Sequence, residues 1–253
     1  MATDTRSTPR WDGIGEPIRE PLRLLLERLQ AGLGDNLRSV SVVGSGLTQD
    51  FRPGTSDINT VVLLDAYNSP ALSAVARVAP QMRRQRISPP LLMTASYIDR
   101  SRDVFGVEFL DFQLVHETIL GEDPFAALQF DKKNVRLQCE RELKAMLVRL
   151  RQGYLASAGD KRMLRDILIS TAKGLTPLLR ALLWLRDVDR PKTMDSTLRK
   201  AAGQFDVDLG AALAAQQWRH EKSRLTDAEM ESTFVAVLDA VDRLTTIVDA
   251  LEL

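Results

Sequence analysis

Gly44 and Ser45 close the β-branched run Val40-Ser41-Val42-Val43, and Ser56, Asp57 and Asn59 lead into the apolar run Thr60–Leu64. A run of this kind ending in Gly-Ser reads as a buried strand entering a tight turn. Backbone N–H groups at such a turn can bind a phosphate, since no bulky side chain blocks its approach. Asp57 and Asn59 are two apart, so on a strand they point to the same face. A carboxylate opposite a Gly-Ser cradle can hold Mg²⁺ bridging to a triphosphate. Asn59 brings a neutral oxygen to that face and no second charge.

Other chemistry-bearing residues are few. Glu108 and Asp111 fall in VEFLDFQLV, residues 107–115, which reads as a strand. Their odd spacing would put them on opposite faces, so only one can join Asp57. Cys139 is the single cysteine and the histidines are His116 and His220, which leaves too few soft ligands for structural zinc. Any metal must be a hard ion held by carboxylates. Cys139 lies on an apolar helix face and reads as packing; His116 reads as a strand-end residue and His220 as solvated. The basic run Arg83-Arg84-Gln85-Arg86 could meet the phosphates of a nucleotide or RNA, but a solvated helix end is favoured, since cations suit a helix C-terminus.

The elements that must position these residues follow from periodicity. Residues 1–15 read as a loose tail. Ile18, Leu22, Leu25, Leu26, Leu29 and Leu33 have helical spacing, and a second helix is expected over Ala71–Arg86. Strands are expected at Val40–Val43, Asp57–Leu64, LLMTASYI (91–98) and 107–115. Beyond Asp131 only helical patterns occur, ending in the 4-3-4-3 seam Met230, Phe234, Val237, Val241, Leu244, Val248 and Leu251. The expected class is α+β, a mixed sheet with flanking helices over 16–128 followed by an all-α bundle over 129–253.

Composition narrows the function classes. The 253 residues carry 34 basic and 34 acidic side chains, so the global positive field of a nucleic-acid-gripping protein is absent and nucleic acid is not favoured as a partner. No run reaching membrane-spanning length and no secretory leader is read from the sequence, so the expectation is a cytoplasmic protein with no membrane partner. The 230–251 seam would serve either inside the bundle or in a homodimer.

The stretch VSVVGSGLTQDFRPGTSDINTVVLL resembles the signature of the nucleotidyltransferase superfamily, the polymerase-β-like fold. In that family a strand, Gly-Ser, a helix and (Asp/Glu)-x-(Asp/Glu) on the next strand are joined by a third acidic residue on a later strand. The resemblance extends in detail over roughly residues 17–125 and in type over the helical remainder. It implies Mg²⁺- or Mn²⁺-dependent transfer of a nucleotidyl group from a nucleoside triphosphate to a hydroxyl of a small molecule or protein, using one or two ions. Gly44, Ser45 and Ser56 would bind the nucleotide, Asp57 and Asp111 the metal, with Glu108 as substitute, and Asp57, Asn59 and Asp111 would form the catalytic set. Asp111 is preferred because the following ILGED resembles the family's exit from its strand. The sequence departs from the family at Asn59, which weakens the site of the second ion. The alternative is a catalytically impaired module that binds a nucleotide or a protein partner.

Overall fold

Six apolar residues at three- and four-residue spacing line α1 (Glu16–Leu33), and all of them are buried. Pro17 occupies its first turn, where a missing N–H costs no helical bond. Gly34, at φ 50°, ends it. The chain then enters β1 (Leu37–Val43), which pairs antiparallel with β2 (Asn59–Leu64) on one side. Helix α2 (Ser69–Arg84) follows, and the Asn68 side chain caps it by accepting from the Ala71 N–H at 2.8 Å. Next, β3 (Leu91–Thr94) runs parallel to β2.

The computed structural model describes residues 8–218 and 225–252, so His220 lies outside the described residues. Two compact units emerge. The first is built from residues up to Arg102 with Phe109–Gln129, and the second from Asp103–Glu108 with residues from Phe130 onward. In the first unit Leu22, Leu25, Leu26 and Leu29 pack on Val40, Val42, Val62 and Leu64 with Ala71, Val75 and Met82. Each such burial contributes up to about 1.5–3 kcal/mol.

Three strand expectations are corrected. The second strand begins at Asn59, so Asp57 lies in the loop before it. The third strand stops at Thr94, whose hydroxyl accepts from the Tyr97 N–H at 3.1 Å and caps the short α3 (Ala95–Arg100). Residues 107–115 do not form a strand. They lie in α4 (Gly106–Leu114), and the fourth strand is β4 (His116–Gly121), antiparallel to the free side of β1. The sheet order is β3-β2-β1-β4. A glutamine 31 residues away decides the change at 107: Gln138 Oε1 accepts from the Val107 N–H at 2.9 Å, and its Nε2 donates to Glu108 at 2.6 Å. One helix N-terminal donor is thereby satisfied.

Residues 8–15 also depart from the expected loose tail. The Arg10 N–H donates to the Ile119 carbonyl at 2.8 Å, its guanidinium donates to the Gly121 carbonyl at 2.8 Å, and Ile14 is buried. This segment runs along the outer side of β4.

The second unit contains α5 (Lys132–Ser157), α6 (Lys161–Leu185), α7 (Met194–Phe205), α8 (Gly210–Gln217) and α9 (Asp227–Asp249). The α9 seam is buried from Met230 to Val248 against α5, α6 and α8, so it closes the bundle internally and offers no surface for a homodimer. By length and composition α6 does reach what a membrane span needs, against expectation. Most of that apolar stretch is buried in the unit, as in the core helix of a globular bundle. Cys139 is fully buried on α5, and burial, reinforced by the charge of Glu108, pushes its thiol up to about 12.

Candidate functional site

Pairing brings the Gly-Ser turn and the Ser-Asp-x-Asn segment to one end of the sheet. Val43, the residue before Gly44, is paired with Asn59 on one side and with His116 on the other. Residues opposite one another in a ladder project to the same face, so Asn59 and His116 flank Val43 on a common face. Gly44 adopts φ 73°, a region open to glycine at little cost, and donates its N–H to the Val115 carbonyl at 3.0 Å. That bond ties the turn to the chain leaving α4. The Ser45 carbonyl accepts from the Thr48 N–H and hydroxyl at 3.1 and 3.2 Å, completing a single 3₁₀ turn over Gly44–Leu47.

Ser56 is buried, and its hydroxyl accepts from the Arg52 N–H at 3.0 Å, latching the loop before Asp57. Asp57 is exposed. Its carboxylate meets Arg86 Nη2 at 3.2 Å, while the same guanidinium donates to the Thr55 carbonyl at 2.6 Å and the Ser56 carbonyl at 3.4 Å. Arg86 itself sits at φ 56°, left-handed backbone that a non-glycine residue seldom adopts. The cross-bonds Ile58 N–H to the Arg86 carbonyl (2.8 Å) and Ser88 N–H to the Ile58 carbonyl (3.0 Å) hold it there. A cavity of about 220 Å³ opens beside this pair, lined among others by Asp57, Met82, Arg83, Arg86 and Ser88.

The remaining carboxylates are arranged otherwise than the sequence suggests. Asp111 and Glu108 are three apart on α4, which places them on one side of a helix and not on opposite faces of a strand. Glu108 is exposed and bonded to Gln138 in the second unit. Asp111 is partly exposed, with its carbonyl receiving the Val115 N–H at 3.0 Å. Extending the parallel register of β3 back toward the site gives Ile87, Ser88, Pro89 and Pro90, with no carboxylate.

His116 and Asp123 form a pair that the sequence pattern does not announce. His116 Nε2 lies 2.8 Å from Asp123 Oδ2, with its ring edge-on to Phe125, and Asp123 Oδ1 accepts from the Phe125 and Ala126 N–H groups at 2.8 and 3.2 Å. Burial raises the Asp123 carboxyl, but the bonds from His116 and the two amides outweigh it and leave the group below its ordinary value of 3.8. A depressed carboxyl stabilises the fold above its unfolded pKa and loses that contribution as pH falls from 3.8 through the lower folded value. Asp123→Ala is expected to cost about 1–2 kcal/mol in urea unfolding at pH 7, and Asp123→Asn less, because its carbonyl oxygen still caps both amides. Equal losses for the two variants would show that the amide caps contribute nothing.

No protein-family model matches the chain, and no curated protein matches it in sequence. A solved structure does. The spectinomycin adenyltransferase AAD(9) from Enterococcus faecialis, determined with ATP and spectinomycin, superposes with a TM-score of 0.55 over 88% of this chain and 98% of that one, at 11% identity. The chain has the nucleotidyltransferase fold. At this identity the likeness extends to architecture and not to chemistry.

The residues present do not fit the fold's two-metal centre. Such a centre needs carboxylates converging on ions about 4 Å apart. Here Asp57 is ion-paired with an arginine, its partner position is the neutral Asn59, and the strand beside β2 carries no acid. Among the described residues no three His, Cys, Asp or Glu side chains gather as a metal would require.

Proposed function

We propose that the chain is a nucleotide-binding protein of the nucleotidyltransferase fold whose transfer chemistry is impaired, so that it holds a nucleoside triphosphate without passing on the nucleotidyl group efficiently. The Arg86–Asp57 ion pair carries this reading, since it commits the one motif carboxylate to a guanidinium. Asn59 supports it, since the second motif position carries no charge. Retention of the Gly44 turn, built on a φ that favours glycine and tied to Val115, supports binding. The active-enzyme alternative, with Mg²⁺ or Mn²⁺ on Asp57 and Asp111 and a small-molecule acceptor hydroxyl, takes its support from AAD(9), which was determined with ATP and a small molecule.

Calorimetric titration with ATP, CTP, GTP and UTP in Mg²⁺ tests binding, and incubation with labelled triphosphates and cell extract tests transfer. The expected result is saturable binding of at least one triphosphate with no labelled product, and a gain of product in Asn59→Asp. Labelled product from the unaltered chain would restore the enzyme reading. Failure of all four triphosphates to bind would end the nucleotide reading.

A further inference from the structure

We infer that the phosphate-binding element of this site is arginine-based and needs no divalent metal. Arg83, Arg86 and Ser88 would take the terminal phosphates in the cavity beside Asp57. This rests on the nucleotide reading for the identity of the ligand, but its phosphate chemistry stands separately.

Charge is the first ground. Around the cavity Asp57 is the one lining carboxylate against the Arg83 and Arg86 guanidinium groups, and Arg84 adds a third cation on the last turn of α2. The Asp57–Arg86 pair cancels, leaving Arg83 as uncompensated positive charge facing the space. A divalent cation entering here would meet one carboxylate already engaged and two arginines repelling it. A phosphate would meet donors that suit its oxygens, and guanidinium forks bind phosphate in a bidentate manner.

The simplest rival reading is that the arginines only offset the carbonyl end of α2, as cations at a helix C-terminus do. Arg86 does not fit that role. Its guanidinium turns away to the carbonyls of Thr55 and Ser56 and to Asp57. It does so from a left-handed backbone conformation that Asn or Gly would occupy at lower cost. The backbone conformation itself is the ordinary left-handed end of α2, with the Ile87 N–H on the Met82 carbonyl at 2.9 Å, and it is the direction of the side chain that sets Arg86 apart. Size also discriminates. At about 220 Å³ the cavity is smaller than the roughly 300–1,000 Å³ that encloses a whole small ligand, so it suits a phosphoryl end and not a base and sugar.

Asp57 then has a role opposite to that of a metal ligand: it competes with the phosphate for Arg86. The test is calorimetric titration of the full chain with inorganic tripolyphosphate, once in EDTA and once in excess Mg²⁺, with circular dichroism verifying each variant's fold. Binding is expected in EDTA at an affinity no weaker than in Mg²⁺. Arg83→Ala should weaken it at least tenfold. Asp57→Asn should leave it unchanged or tighten it, whereas a metal-bridged site would lose it. Binding that requires Mg²⁺ and disappears in Asp57→Asn overturns the inference, as does absence of binding in both conditions. If a nucleoside triphosphate binds in Mg²⁺ while tripolyphosphate fails in EDTA, the function stands and the inference falls; tripolyphosphate binding without any nucleotide binding gives the reverse.

Discussion

Gly121→Ala is expected to cost about 3–5 kcal/mol, a large share of the 5–15 kcal/mol that typically separates a folded domain from its unfolded chain. Gly121 ends β4 at φ 76°, and a Cβ there would collide with the Arg38 carbonyl oxygen and lie 2.9 Å from the Ser39 Cβ. The first contact is with backbone, so no rotamer change relieves it. Either β4 slides along β1 or the Ser39–Gly121 pairing opens. Because β4 begins with His116 beside Val43, sliding would also shift Val115, which accepts the Gly44 N–H. Urea unfolding followed by far-UV circular dichroism should show the loss. Gly203→Ala, on a helix with nothing within 4 Å, is the control and should be neutral or stabilising by up to about 1 kcal/mol. A midpoint for Gly121→Ala matching the unaltered chain would mean that β4 is not held as described.

Arg180→Met is expected to destabilise the second unit by about 3 kcal/mol. Arg180 is buried within α6, where its Nε donates to the Pro191 carbonyl at 3.0 Å and approaches Thr197 Oγ1 at 3.3 Å, and its Nη2 donates to the Lys192 carbonyl at 2.6 Å. It thereby fastens the loop before α7 to the core helix. Removing it takes the guanidinium donor from the Lys192 carbonyl and leaves the Pro191 carbonyl, which also receives the Thr197 hydroxyl at 3.0 Å, with that donor alone. Arg180→Lys should recover little, since one ammonium cannot reproduce a planar fork that reaches Pro191 and Lys192 together. Hydrogen exchange across residues 187–193 would report the loosening directly. Full recovery by lysine would show that charge alone, and not fork geometry, is what this position needs.

What could be read from the sequence divides along physical lines. Val40–Val43 and Thr60–Leu64 are buried on nearly every residue, so β-branched density alone marked them as strands. The long stripes of α1, α5, α6 and α9 were legible for the same reason, that burial on one face leaves a repeating trace. Residues 107–115 left no such trace. Val107, Phe109 and Leu110 suit either period, and the choice was made by Gln138, a partner no local window contains. At the site, the Gly44 turn and the Asp57-x-Asn59 spacing were legible because they are local. That Arg86 would sit on Asp57, and Asp123 on His116, depended on pairings across 29 and 7 positions set by the sheet. Even so, the basic run holding Arg83 and Arg86 was visible, and phosphate was one of its two readings.

The placement of residues 8–15 bears on more than the fit of one segment. A sheet's outermost strands offer rows of unmet donors and acceptors to any other extended chain. On one border of this sheet Arg10 takes the carbonyls of Ile119 and Gly121. On the other, β3 has only four residues and is led in by Pro89 and Pro90, which have no N–H to offer. Each border thus presents fewer free backbone groups to an added strand, by different means.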